Sequence, residues 1–117
     1  MTPSPLATRF AHDAESVINT KSPYPGRGKY VLSVMPGRRF DRIVLERTEA
    51  GRRTTRSCHA FVERNTGLLI KAAGWAAPQK SETHASGLAA RFNLSDPIQY
   101  AEAVFAAEFS GGYLYQR

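Results

Sequence analysis

Residues 57–71 read Ser-Cys-His-Ala-Phe-Val-Glu-Arg-Asn-Thr-Gly-Leu-Leu-Ile-Lys, which is a strand pattern, a turn and a second short strand. Side chains alternate between the two faces of a strand, so a strand over 54–64 would place Cys58, Ala60 and Val62 on one face and Ser57, His59 and Phe61 on the other. The Asn65-Thr66-Gly67 step predicts a three-residue hairpin loop with Gly67 at its left-handed position. The chain then returns antiparallel through 68–71.

Two more strands are predicted before this hairpin. Residues 29–35 alternate between apolar and polar, and the Pro36-Gly37 turn leads into 39–47, which contains the strand formers Ile43, Val44 and Leu45. The turn Glu49-Ala50-Gly51-Arg52 connects that strand to the next. The sequence therefore predicts a meander of four antiparallel strands.

A helix is predicted on each side of the meander. Ser4-Pro5 can cap and start the first helix, which continues to about residue 19 with an apolar face of Leu6, Phe10, Ala14 and Val17. Asp96-Pro97 starts the second, with Gln99 placed to complete a capping box. Its predicted apolar face is Ile98, Ala101, Phe105 and Phe109. Gly111-Gly112 ends this helix before a short strand over 113–115.

We therefore expect an α+β fold, an antiparallel four-stranded meander with one or two packed helices. Residues 1–28 would form an N-terminal helix and a Pro/Gly connector, and residues 29–117 a single α+β domain, with a loop over 72–86. One cysteine and no basic-then-apolar leader are typical of a cytoplasmic protein. Apolar runs such as 68–70 are too short to cross a membrane.

The charge of the chain is strongly positive and unevenly distributed. The formal net charge is +6, and between Arg38 and Arg64 eight arginines face four carboxylates. Because the planar guanidinium group matches phosphate geometry, a basic hairpin face of this kind favours nucleic acid or a phosphorylated nucleotide as ligand. The alternative interpretation is a solvated surface that only keeps the protein soluble.

The residue patterns of catalytic and metal sites are weak. Cys58 and His59 are neighbours on a strand and would point to opposite faces, so they do not form a nucleophilic pair. A zinc site would need Cys58, His12, His59 and His84, which lack the short paired spacings of zinc ligands. We therefore expect a binding protein rather than an enzyme, with no metal and no cofactor.

Trp75 is the single tryptophan, and it lies between Lys71 and Lys80. It could plug one end of the sheet beneath the second helix, or it could offer a platform on which a base stacks, an interaction worth about 1–3 kcal/mol per base. In the second interpretation, the ligand-binding residues are Arg52, Arg53, Arg56, His59, Phe61, Lys71, Trp75 and Arg91.

The second half of the chain carries several motifs in order: Ser57-X-His-Ala-Phe-Val, the Thr66-Gly67 turn, and then Lys71-Ala-Ala-Gly-Trp, Ala77-Pro-X-Lys, Arg91-Phe-Asn-Leu and Gly111-Gly-Tyr-Leu-Tyr. In these motifs it resembles a family of short proteins of unknown function encoded by tailed bacteriophages. The resemblance implies the cytoplasm of a bacterial host as location, with a place in the virus particle left open. It implies no site residues.

Two hypotheses follow. The first is a small phage-type accessory protein that binds nucleic acid or a nucleotide through a basic, aromatic-bearing sheet face. The second is a protein-protein interaction or virion assembly module that docks on a host or phage protein through an exposed sheet edge. Pairing of such edges would also allow a homo-oligomer.

Overall fold

The computed structural model describes residues 1–22, 28–82 and 86–115. Its elements are the helix α1 (Pro5–Lys21), the strands β1 (Lys29–Met35), β2 (Phe40–Glu49), β3 (Arg52–Glu63), β4 (Leu68–Lys71) and β5 (Ala90–Asn93), the helix α2 (Pro97–Ala106) and a 3₁₀ turn (Gly112–Leu114). The strands lie side by side in chain order, and every neighbouring pair is antiparallel. The predicted connector over 23–27 lies outside the described residues.

The α+β class is confirmed, but the sheet has five strands instead of four. The extra strand, β5, is only four residues long and pairs with β4 across 18 intervening residues, 72–89. A run this short has no periodicity that distinguishes it from a loop. The predicted strand over 113–115 is also wrong, because Gly112–Leu114 forms a 3₁₀ turn.

Helix α1 packs on one face of the sheet and also covers its first edge. Ser4 caps the helix through its hydroxyl, as predicted, and Phe10 is fully buried. The Asn19 side chain exchanges two hydrogen bonds with the backbone of Tyr30 in β1, and the Glu15 carboxylate accepts from the Leu32 N–H. These side chains hydrogen-bond to backbone N–H and C=O groups of β1 that a further strand would otherwise pair with.

Helix α2 is capped by Asp96, as predicted, but the predicted capping box and buried face are wrong. The Gln99 side chain accepts from the Asn93 N–H of β5 instead of closing the box. Ile98 and Phe105 are 72% and 81% exposed, whereas the side chains turned towards α1 and the sheet include Tyr100 and Ala103. The helix therefore buries the face that contains Tyr100 and Ala103 and leaves the predicted apolar face exposed.

The sheet carries a hydrophobic core on each face. The larger core lies beneath α1, α2 and the 3₁₀ turn and includes Phe10, Ile43 and Leu69. The smaller one, on what we call the open face, is built around Phe61 and Ile70. Neither described helix is long and apolar enough to cross a membrane.

A β-bulge in β3 separates two side chains that simple alternation would place together. Ile43 of β2 pairs with Ala60, and the next residue, Val44, pairs with Cys58, which leaves His59 as an extra residue. Phe61 packs in the open-face core, whereas His59 is buried beside Tyr113 of the larger core. The prediction that His59 and Phe61 share a face is therefore wrong.

Much of the predicted loop over 72–86 is held by backbone hydrogen bonds. Ala73 donates to Ala77, so the chain turns back on itself with Trp75 at the tip. Gln79 then donates to Lys71, and Ala89 donates to Gln79, which extends the backbone ladder beyond β4 and β5. Residues 83–85 are not described. The ladder fixes the position of Trp75 above the sheet.

Candidate anion-binding site on the open face

The open face presents arginines from the two longest strands. Arg42 of β2 pairs in register with Phe61 of β3, and Glu46 pairs with Arg56. Because directly paired residues point to the same side of the sheet, Arg42, Glu46 and Arg56 all belong to the face opposite the helices. Trp75 lies above the same part of the sheet, where the Arg42 and Arg56 side chains reach its ring.

The Trp75 ring contacts two guanidinium groups. The central carbons of Arg42 and Arg56 lie 4.9 and 4.8 Å from the centre of the indole ring. Arg42 also donates from Nε to the Trp75 carbonyl oxygen at 2.8 Å and lies 5.5 Å from the Phe61 ring. We call these residues, Arg42, Arg56 and Trp75, the Arg–Trp cluster. Cation–π contacts of this kind hold the arginine planes while their N–H edges stay able to donate.

One carboxylate partly balances this charge. Glu46 lies 3.4 Å from Nε of Arg56 and 4.0 Å from Arg53. Within the described residues, Arg42 forms no ion pair, since its contacts are with Phe61, Trp75 and the Trp75 carbonyl oxygen. Arg42, Arg53 and Arg56 against Glu46 therefore leave a local charge of about +2, which attracts anions.

The cysteine beneath this face is chemically quiet. Cys58 packs against the smaller core, and burial raises the pKa of its thiol to about 11, which the neighbouring charge of Arg42 only partly opposes. Because the thiolate is the nucleophile, a thiol with this pKa is almost entirely unreactive near neutral pH. Cys58 is therefore a packing residue of this face rather than a nucleophile.

The structure brings together half of the eight predicted ligand residues. Those on the open face are Arg53, Arg56, Phe61 and Trp75, although Phe61 is buried beneath the guanidinium of Arg42. Trp75 is 40% exposed and does not lie beneath α2, so the alternative role as a plug under that helix is wrong.

The other four predicted ligand residues lie elsewhere. Arg52 is at the tip of the β2–β3 hairpin, and His59 is buried. Lys71 pairs with Ala60, which places it on the helix side, and Arg91 donates to the Tyr113 carbonyl oxygen at 2.9 Å. These four residues do not join the Arg–Trp cluster.

Sequence reasoning missed Arg42 and Glu46 as site residues. A signal for them exists, because they are four residues apart on a predicted strand and so share one face. The missing information was the register, which places Arg42 opposite Phe61, and the fold of 72–78, which brings Trp75 back over β2.

No group of three or more His, Cys, Asp or Glu side chains within 1–22, 28–82 and 86–115 is arranged to hold a metal ion. His84, one of the four residues considered for zinc, lies outside these ranges. His59 and Tyr113 form a buried polar pair, and their side chains are hydrogen-bonded to each other at 2.6 Å. It lies on the helix side of the sheet.

Comparison with known proteins gives one match. The model of a family of unknown function (DUF7717) matches residues 5–116. No curated protein and no solved structure matches the chain. The match covers nearly the whole chain, including both helices and all five strands, and carries no statement of activity or origin.

Proposed function

Since the chain belongs to DUF7717, a family of unknown function, we propose its function from the site itself: it binds nucleic acid or a phosphorylated nucleotide through the open face. The Arg–Trp cluster carries this proposal. Two guanidinium groups rest against one partly exposed indole ring, and Arg42 has no carboxylate partner among the described residues. Phosphate would take the N–H edges of the arginines, and a base would lie against the exposed part of Trp75.

Binding to a single strand, without preference for sequence, fits this face best. Its basic groups lie side by side on two neighbouring strands, and stacking on an aromatic ring accepts any base. If Arg42, Arg53 and Arg56 each neutralise one phosphate, the logarithm of the binding constant should fall with the logarithm of the salt concentration with a slope of about −2.

Fluorescence of Trp75 tests the proposal directly, because it is the only tryptophan. We expect a short single-stranded oligonucleotide to quench it saturably, and mononucleotides or cyclic nucleotides to do so if the ligand is a free nucleotide. Arg42→Gln and Arg56→Gln should each weaken binding about 5- to 10-fold and reduce the salt slope by about 0.7. Arg9→Gln is the matched control, since it makes the same charge change on an exposed residue of α1.

Glu46→Gln provides a test in the opposite direction. This carboxylate lies beside Arg53 and Arg56 and would repel an incoming phosphate, so its removal should tighten binding. The proposal is refuted if Arg42→Gln and Arg56→Gln bind as well as the parent protein while remaining folded, or if the folded protein, freed of nucleic acid, shows no saturable quenching.

The resemblance to short phage proteins supports a role for this binding in the cytoplasm of an infected bacterial cell. A small protein with net charge +6 would be attracted to the many phosphates present there. Expression from an infecting phage genome, followed by fractionation of infected cells and purified particles, would test both the origin and a place in the virion.

Protein docking is a second candidate function, and α2 favours it. The exposed side chains of Ile98 and Phe105, seven residues apart, form an apolar stripe along the helix. The sheet edges support it less, because the Asn19, Glu15 and Gln99 side chains occupy backbone groups there. A stoichiometric protein partner from nuclease-treated host lysate that is lost with Phe105→Glu and kept with Arg42→Gln would favour docking. An empty pull-down would count against it.

A further inference from the structure

A polar groove lies on the helix side of the sheet, opposite the open face. The groove has a volume of about 380 Å³ and is lined by Lys71, Gln79, Lys80, Ser81, Ala89 and Tyr115. This volume falls within the range of small-molecule sites. Lys71 pairs with Ala60 of the larger core, so the lysine lies on the helix side, away from the Arg–Trp cluster.

The backbone ladder beyond β4 holds the floor of this groove. Gln79 N–H donates to the Lys71 carbonyl oxygen at 2.7 Å, and Lys71 and Ala89 are joined by a bond of 3.0 Å. Ala89 in turn donates to Gln79 at 2.8 Å. Three of the six lining residues are therefore fixed relative to one another by main-chain hydrogen bonds.

Lys71 supplies a positive charge to this groove. It is half-buried, and its ammonium nitrogen lies 4.6 Å from the centre of the Tyr115 ring without forming an ion pair to any carboxylate that the structure describes. An aromatic ring is a weaker partner for an ammonium group than a carboxylate or phosphate oxygen. No acidic side chain is among the described residues that line the groove.

We propose that this groove is a separate binding site for a small organic anion, whose phosphate or carboxylate group binds Lys71 and whose body lies against Tyr115. The described lining residues suit such a ligand, since the Lys71 cation, the Tyr115 ring and the polar side chain of Gln79 lie around one groove. Tyr115 is 58% exposed, so part of its ring can be covered by the ligand. The site is independent of the open face and does not need the function proposed for it.

Amide NMR spectra of ¹⁵N-labelled protein distinguish the two sites. Inorganic phosphate, adenosine monophosphate and succinate would be titrated separately, with the amides of Lys71, Ser81, Ala89 and Tyr115 reporting on the groove. The indole N–H of Trp75 reports on the open face in the same spectra. We expect saturable shifts of the groove amides with a dissociation constant below about 1 mM for at least one organic anion. The three probes separate a phosphate ligand from a carboxylate ligand.

Charge-matched variants make the test specific. Lys71→Gln should weaken the binding at least about tenfold, Lys71→Arg should largely keep it, and Arg42→Gln should leave it unchanged, because a hydrogen bond to a charged group contributes about 1.5–3 kcal/mol. The proposal is overturned if no probe gives saturable shifts in the groove. It is equally overturned if Lys71→Gln, with an otherwise native spectrum, binds as tightly as the parent.

Discussion

Acidification should destabilise this protein in part through the imidazole of His59, which is buried in the folded state. The side chain is only 6% exposed, with its Nε2 atom 2.6 Å from the Tyr113 hydroxyl oxygen, and burial lowers the pKa of His59 from 6.5 to about 4. In the unfolded chain this imidazole binds a proton below about pH 6.5, whereas in the folded protein it stays neutral until about pH 4. The unfolded state therefore binds more protons between these values.

The sign and size of the effect follow from proton linkage. Stability conferred by the neutral imidazole is complete above pH 6.5 and is lost as the pH falls towards 4. Relative to about pH 8, His59 should cost about 2 kcal/mol of the free energy of unfolding at pH 5 and about 3 kcal/mol at pH 4. For a domain with a total stability of about 5–15 kcal/mol, this loss is large.

Urea unfolding followed by circular dichroism at constant ionic strength measures this loss. Other groups also titrate in this range, so the quantity to compare is the change in stability between about pH 8 and about pH 5 in the parent and in His59→Gln. The glutamine can still hydrogen-bond to Tyr113 but binds no proton, so its change should be smaller by about 2 kcal/mol. Equal changes in the two proteins would refute the reasoning.

Tyr113→Phe isolates the cause. It removes the hydroxyl partner of His59 but keeps the imidazole buried, and burial is what lowers its pKa. We therefore expect this variant to be less stable at every pH and to keep the pH dependence of the parent. Loss of that dependence in Tyr113→Phe would show that the hydrogen bond, rather than burial, controls the protonation of His59.

Two further substitutions test the architecture. Ala50 adopts a φ of 53° beside Gly51 at 76° in the β2–β3 turn, where asparagine is better tolerated, so Ala50→Asn should raise the free energy of unfolding by about 0.5–1 kcal/mol, measured by urea unfolding. A decrease would mean that the turn is formed differently. Asp41 is fully buried and accepts from Arg64 at 2.6 Å and from the Ser4 N–H at 3.0 Å, so Asp41→Asn should cost about 2–3 kcal/mol in the same measurement. The control Arg9→Gln, which breaks a pair whose arginine and aspartate side chains are 68% and 37% exposed, should cost under about 1 kcal/mol, and equal losses would contradict this view of Asp41.

Local signals predicted the beginnings of elements well. Ser4 and Asp96 cap their helices because each side-chain oxygen accepts from backbone N–H groups only two or three residues further on, beside the proline that starts the helix. The left-handed φ of Gly67, 81°, is likewise set by the hairpin loop itself. Features of this kind depend on a few consecutive residues and can be read from the sequence.

The errors come from interactions between distant residues. The α2 helix has two apolar faces, and its contacts with α1 and β5, including the 2.6 Å bond from the Tyr100 hydroxyl to Asp13, decide which is buried. The bulge at His59 shifts the alternation of β3 by one residue, and its position is set by the pairing with β2. Because of this shift, His59 and Phe61 lie on opposite faces of the sheet, so these two predicted ligand residues cannot belong to one site.

The candidate site itself was predicted only in outline. A basic, aromatic surface follows from composition and from the positions of the arginines and Trp75, and the structure adds which arginines reach the ring. Arg42 could have been found from strand alternation, but the return of 72–78 over β2 could not, because that segment has no regular hydrophobic pattern.

The simple order of the sheet has a consequence for how the chain is made. Because each strand pairs with the one synthesised just before it, every addition to the sheet can form as soon as its residues leave the ribosome. The helix α1 is already present to cover β1 when that strand emerges. The contacts that join α2 and the 3₁₀ turn to α1 and β5 link residues far apart in the sequence or made last, so they should form after the sheet itself.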